Sequence, residues 1–211
     1  MTRYNRRDRY YQKAKDDQYA ARSVYKLEEI DRRHRLIKQG HNLVDLGSSP
    51  GSWLQYLSKA VGKKGVIVGY DLVEPSVNPG PQARTFVASV DELTPERVQA
   101  DLQKARQEIV GLSGAPLVDG LVSDMAPKLT GVRDADQVKS VGLATQALLL
   151  AEALVRPEGY FVAKLFQGRE IDELVLGVKR VFAEVKMLKP EATRDGSREA
   201  FIIGRSRRPL A

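Results

Sequence analysis

Apolar positions along this chain fall into two kinds of run that take turns. Short, nearly continuous runs (43–46, 66–72, 85–88, 117–123, 160–166, 184–188 and 201–204) read as strands. Between them, apolar residues recur at helical spacing. Val24, Leu27, Ile30 and Ile37 place a helix over 22–37, with Ser23 able to cap it. Further helices are predicted over about 52–61, 95–110, 137–156 and 170–182, with Gly62, Gly111 and the Pro157–Gly159 pair as stops. Residues 74–82 carry three prolines and a glycine and read as a loop, as do residues 128–136 with their mixed charges. No segment repeats another. Alternation of strands and helices predicts an α/β domain built on an open, doubly wound, mostly parallel seven-stranded sheet with helices on both faces. Ligands of such a sheet bind outside the carboxyl ends of the strands.

The sharpest feature is the junction Asn42–Trp53, NLVDLGSSPGSW, in which a buried strand breaks into a glycine loop and a helix begins at once. Gly47 and Gly51 permit positive φ and close backbone approach, and the helix start offers free N–H groups. Asp71 ends the second strand about 20 residues later, where an acid can accept hydrogen bonds from a ribose. Asp45, Asp91 and Asp124 also follow strands, so four carboxylates are expected on one rim. That many acids would repel a pyrophosphate. They suit S-adenosylmethionine, which carries an ammonium, a ribose and a sulfonium but no phosphate. Trp53 is a candidate wall of that pocket, with a plain core tryptophan as the alternative. Lys164 stands inside the apolar strand YFVAKLF, where an unpaired charge is costly. Lys26 lies beside the apolar stripe of the first helix, where a snorkelling surface lysine is the plain alternative.

Composition narrows the chemistry. The chain has 211 residues, no cysteine and two histidines, which excludes disulfides and thiolate nucleophiles and disfavours a His/Cys metal site. No run approaches the ~20 apolar residues of a membrane span. The N-terminus lacks the apolar core of a secretory signal, so a cytoplasmic protein is expected. The net charge of +7 is unevenly placed. Residues 1–38 hold twelve Lys/Arg against six Asp/Glu, residues 186–211 seven against three, and the middle fifteen against eighteen. A slightly acidic body with two basic ends fits a polyanion partner, nucleic acid above all. Residues 1–21 mix cations with Tyr4, Tyr10, Tyr11 and Tyr19 and read as an RNA-binding extension, partly disordered without its partner. Residues 22–211 read as a single catalytic domain.

Taken together, DLGSSPGSW, the YDL acid, SDMAP, FVAKLF and SREAF resemble the motifs of the FtsJ/RrmJ family of RNA ribose 2′-O-methyltransferases. The resemblance runs from about Arg22 to Gly204. It implies a Rossmann-like, S-adenosylmethionine-dependent methyltransferase fold and a catalytic tetrad, which falls on Lys26, Asp124, Lys164 and Glu199. It further implies Gly47, Gly51, Trp53, Asp71, Asp91 and Asp124 as cofactor contacts. Relatives often carry the adenine-contacting acid directly after the third strand, whereas this chain reads Ser89-Val90-Asp91. The chain's length is similar to that of bacterial members that methylate a uridine in the A-loop of 23S ribosomal RNA. The implied partner is therefore ribosomal RNA within the large subunit. A tRNA 2′-O-methyltransferase and a non-catalytic ribosome-assembly factor are the alternatives.

Overall fold

In the computed structural model, residues 9–168 and 171–209 are described. The strands are β1 (Asn42–Leu46), β2 (Val66–Asp71), β3 (Ala83–Val87), β4 (Val118–Ser123), β5 (Val155–Phe166), β6 (Phe182–Leu188) and β7 (Glu199–Arg207). They form one sheet in the order β3-β2-β1-β4-β5-β7-β6. Strands β1 to β5 pair in parallel, and β7 lies antiparallel between β5 and β6. The expected seven-stranded, mostly parallel sheet is thus the observed one.

Among the described residues six α-helices cover it: α1 (Arg9–Asp16), α2 (Val24–His34), α3 (Ser52–Val61), α4 (Pro95–Val110), α5 (Arg133–Leu154) and α6 (Ile171–Val181). Two layers of core result. On one face Leu27, Ile30, Trp53, Leu54 and Leu57 of α2 and α3 meet Leu43, Ile67, Val122, Val162 and Phe201. On the other, α4, α5 and α6 bury Val98, Leu102, Ala147, Leu174 and Val178 against Val44, Val68, Leu121, Phe161 and Ile202. Strand residues therefore alternate between two apolar layers, which is why the parallel strands read as nearly unbroken hydrophobic runs.

Several boundaries differ from expectation. Helix α2 stops at His34 because Arg35 turns left-handed (φ 52°) and returns its N–H to Asp31, rather than continuing to residue 37. Ser23 does not cap α2, since its hydroxyl is paired with that of Ser52. Helix α5 begins at Arg133, four residues before the expected start, and pulls the end of the 128–136 loop into its first turn. Strand β5 begins at Val155, so Pro157 and Gly159 lie within it near a register shift against β4. Residues 9–16 form a helix that packs on the body. Ala14 is buried with Val24, Tyr25 and Ala192, and Tyr10 and Tyr19 lie against them. Residues 1–8 of the basic extension lie outside the described residues.

Candidate active site

The strand order reverses between β1 and β4, where a doubly wound sheet opens a crevice for ligands. There a groove of about 720 Å³ runs across the rim. Gly47, Asp71, Asp91, Asp124, Met125 and Lys164 are among its walls. Its floor is built by the backbone: the N–H groups of Gly47 and Ser48 donate to the Tyr70 carbonyl, and that of Asp124 donates to the Leu46 carbonyl. Gly47 takes φ +79°, and a Cβ there would stand 2.7 Å from the Met125 nitrogen. No side chain fits at that crossing of the β1 and β4 loops.

Asp71 and Asp91 project into this groove as expected. Asp71 also holds the glycine loop, its Oδ2 accepting from the Ser49 N–H at 2.9 Å and its Oδ1 from the Val73 N–H at 3.3 Å. Asp91 sits on the short turn Val90–Glu92, which Ser89 and Glu92 close as a capping box. Gln146 of α5 donates to Asp91, and the Ser89 hydroxyl reaches it at 3.2 Å.

Three expected residues are placed elsewhere. Trp53 does not line the groove: it is 2% exposed, its indole N–H donates to the Ser23 carbonyl at 3.0 Å, and its ring lies 5.9 Å from that of Phe201. As the first large apolar side chain of α3 it faces the sheet, the plain core alternative. Gly51 is buried at the entry to α3 with φ +113°. Its missing Cβ makes room for Val77 at 2.9 Å, so it shapes the loop without walling the groove. Asp45 belongs beneath the rim, not on it. Strand alternation turns it into the α2–α3 layer, where it is fully buried and both carboxylate oxygens lack a hydrogen-bond partner among the described residues. Burial first, then the nearby Asp124 and Asp71 carboxylates, push its pKa well above the ordinary range.

Asp124 and Lys164 stand at the β5 end of the groove, and Lys26 and Glu199, the other two residues of the expected tetrad, pair with each other. Register sets this: Ser123 pairs with Ala163, so Asp124 and Lys164 follow side by side, and Glu199 of β7 pairs with Phe166 two residues beyond the lysine. Helix α2 brings Lys26 over the same face. The cluster resolves into two ion pairs. Lys164 Nζ lies 3.0 Å from Asp124 Oδ1 and donates to the Asp124 carbonyl at 2.5 Å. Lys26 Nζ donates to Glu199 Oε1. Side-chain exposures of 8% and 16% for the first pair, 12% and 15% for the second, leave all four at a shielded edge that a substrate can still reach. Carboxylates at one end and paired lysines at the other suit a cationic ligand beside a site where a proton is held or moved.

Sequence reasoning missed the residues that brace this geometry. Asp136 accepts from Thr130 N–H and Oγ1 at 2.7 Å each and from Gly131 N–H at 3.2 Å, closing the loop after Asp124 onto α5. Ser140 Oγ accepts the Phe166 N–H at 3.1 Å, fixing the end of β5 two residues past Lys164. The available signal is an acid in the first turn of a helix that begins earlier than its apolar spacing suggests. Among the described residues no group of His, Asp and Glu is arranged to hold a metal, and no helix is long and apolar enough to cross a membrane.

The chain resembles known proteins along nearly all of its length. Residues 19–207 match the model of the FtsJ-like methyltransferases. "Ribosomal RNA large subunit methyltransferase E" of Bdellovibrio bacteriovorus is 41% identical over 207 residues, covering 97% of this chain and 99% of that one. The protein of the same name from Myxococcus xanthus is 40% identical over 205 residues, covering 97% and 91%. Among solved structures, a putative ribosomal RNA methyltransferase from Plasmodium falciparum superposes with a TM-score of 0.72 at 22% identity, over 90% of this chain and 98% of that one, a likeness of fold. Motifs, fold, groove and these likenesses agree, and the chain belongs to the FtsJ-like methyltransferase family.

Proposed function

We propose that this protein transfers a methyl group from S-adenosylmethionine to a ribose 2′-hydroxyl of RNA, a uridine in the A-loop of 23S ribosomal RNA within the large subunit. The observation that carries the reading is the pair of lysine–carboxylate contacts at one end of an acid-lined groove. The large-subunit target rests on the name shared by relatives at about 40% identity. A cytoplasmic, ribosome-associated role follows from the same target.

The groove fits the cofactor in chemistry and size. When bound, S-adenosylmethionine supplies a methyl carbon activated by an adjacent sulfonium. Asp71 and Asp91 offer acceptors to ribose and adenine, and Asp124 offers a carboxylate to a positive charge. Gly47 lets backbone rather than side chain form the floor. Lys164 is the residue assigned to the incoming hydroxyl, supported by its position at the groove beside Asp124. Lys164 Nζ would hold the incoming hydroxyl beside the activated methyl group and take up its proton on transfer. Asp124 fixes that nitrogen by two contacts, and Glu199 fixes Lys26 beside it. Holding the hydroxyl against the methyl donor would supply much of the rate.

Residues 1–21 are proposed to add RNA affinity rather than chemistry. Lys13 of α1 stands over the buried Tyr25 ring at 4.3 Å, and Arg22 lies 5.5 Å from the Tyr10 ring, so cations in and just after this segment are held against the start of α2. The deciding experiment offers labelled S-adenosylmethionine with large-subunit particles, free 23S RNA, tRNA or no RNA, and maps the product by mass spectrometry. A 2′-O-methyluridine in the A-loop is expected, with particles or 23S RNA as acceptor. Label in tRNA alone, or in none of the acceptors, overturns the reading.

A further inference from the structure

At the opposite, amino-terminal edge of the sheet lies a second depression of about 90 Å³, which the methyl-transfer chemistry does not use. Arg35, Lys38, Arg156 and Arg205 line it together with His41 and Tyr160. Its two acids are Asp119 and Glu158. Asp119 is already committed, accepting from the Asn42 N–H and from Arg156 Nε at 2.7 Å each. Arg205 reaches Glu184 at 3.2 Å on the strand beside it. Arg35 and Lys38 are exposed, and among the described residues neither side chain has an ion-pair partner. The balance of the depression is cationic.

Two further features distinguish it from ordinary basic surface. The chain has four non-glycine residues at positive φ among those described, and three of them line this one depression: Arg35 (52°), Glu158 (65°) and Ser206 (54°). Strained backbone gathers where surrounding structure holds a site in shape. Polar donors also lack partners. Tyr160 is 5% exposed, and its hydroxyl has no hydrogen-bond partner among the described residues. His41 is held neutral chiefly by burial, which lowers its pKa. Its Nδ1 accepts the Lys38 N–H at 3.3 Å, so the proton sits on Nε2, which lies 4.0 Å from Asp119, beyond hydrogen-bond reach. Cations, a neutral imidazole N–H and a spare hydroxyl around a space for one small anion describe a phosphate receptor.

We infer that this depression binds a phosphate group, and that in the working enzyme the phosphate belongs to the RNA backbone away from the reacting ribose. The RNA part of this inference rests on the function proposed above. Tyr160 and Lys164 sit on the same strand, four residues or ~13 Å apart, and face the same side of the sheet. Helix α2 covers that face, and a strand of RNA running over α2 meets Lys26 near its start and this receptor, with Arg35, just past its end. Such a contact carries no sequence information. It fixes the register in which the target ribose arrives.

The test is the double variant Arg35→Gln/Lys38→Gln, whose side chains are exposed and take no part in the tetrad or the groove. Binding of 23S RNA to wild type and variant is measured as a function of salt, beside cofactor affinity and the single-turnover rate at saturating RNA. In the variant, RNA affinity is expected to fall roughly three- to tenfold and the slope of log affinity against log salt to shrink by about 1 to 2, with cofactor affinity and rate unchanged. Inorganic phosphate is titrated in parallel and followed by the His41 ring resonances, which should move in wild type and stay still in the variant. A phosphate response with unchanged RNA affinity and slope overturns the RNA assignment in favour of a free anion. No phosphate response and no change in RNA binding overturns the site itself. Wild-type protein that neither binds nor methylates RNA is a different failure, that of the proposed function.

Discussion

The two ends of the groove are built by different means. The end between β1, β2 and β4 is made of strand termini and tight loops, with the backbone held by Asp71 and by a residue that must be glycine at 47. The end at β5 is made of long side chains converging from α2, β4, β5 and β7, and one of its ion pairs joins residues 173 positions apart. The first end is local and stiff and suits a ligand of fixed shape. The second depends on the whole tertiary structure to bring two lysines to a shielded edge without leaving either unpaired. Binding should therefore be separable from chemistry by mutation, and the largest test of that separation lies at Lys164.

Lys164→Arg keeps a cation but replaces the compact ammonium by a planar guanidinium of different reach and geometry. Single-turnover methylation is expected to fall by roughly 10²- to 10⁴-fold, the usual worth of a positioned acid or base, while cofactor and RNA affinities hold. If the charge only balances Asp124, arginine should preserve much of the rate. A folded variant that still turns over well would remove Lys164 as proton acceptor.

The same contrast explains what could be read from the chain before its structure. The loop after β1 and the acid ending β2 lie within one strand–helix–strand unit, about 20 residues apart, and their geometry follows from turn and strand rules. Lys26 and Glu199 could be joined only through resemblance, because nothing local to either says that α2 crosses the start of β7. Trp53 carries two readings, since helical periodicity says which face is apolar but not whether that face meets ligand or sheet. Asp45 misleads for a related reason: its place near a strand end suggests the rim, while the period of two turns it inward. Helix α1 escapes a sequence reading because its order comes from Tyr10, Ala14 and Tyr19 packing on Tyr25, a tertiary cause rather than an apolar stripe of its own.

At the cofactor end the expected effect is smaller and falls on affinity. Asp71→Ala removes an acceptor offered to the ligand and also frees the Ser49 N–H. Leaving a partly buried donor unpaired costs ~1–3 kcal/mol, so calorimetry should show S-adenosylmethionine binding weakened by roughly 5- to 150-fold. The rate at saturating cofactor should move much less. Unchanged affinity in a folded Asp71→Ala protein would take Asp71 out of the site, and an equal fall in saturated rate would join the two ends that the structure keeps apart.

A weaker effect is expected outside the groove. Lys13 and Lys15 close α1, whose Ala14 is buried against the body, so replacing the two lysines by glutamine spares the packing that a deletion would break. RNA affinity should fall a fewfold and its salt dependence flatten, by about 0.7–0.9 in slope for each phosphate no longer neutralised. Cofactor affinity and the Lys164-dependent rate should stay put. A matching fall in cofactor binding would make α1 a structural brace for α2.

The last expected effect falls on stability rather than on binding or rate, at an acid buried between the two ends. Because burial and the neighbouring Asp124 and Asp71 carboxylates raise the Asp45 pKa in the folded protein, the folded state keeps a proton there that the unfolded chain has already released. Between the unfolded pKa near ~3.9 and the raised folded one, the native state binds more protons than the unfolded state, so stability declines as pH rises. The decline reaches ~1.4 kcal/mol per pH unit while the difference is a whole proton. Asp45→Asn is nearly isosteric and cannot ionise, so it removes this slope without opening a cavity. Thermal melts should show the variant gaining on wild type as pH rises from 5 towards the raised folded value, with a gain of about 2–4 °C for each ~1 kcal/mol in a chain of this length. A constant difference across that range would mean that the Asp45 carboxylate is stabilised as an anion in the folded protein, by a partner such as a water or a cation. Its proximity to Asp124 would then make it part of the cofactor end instead of a buried neighbour of it.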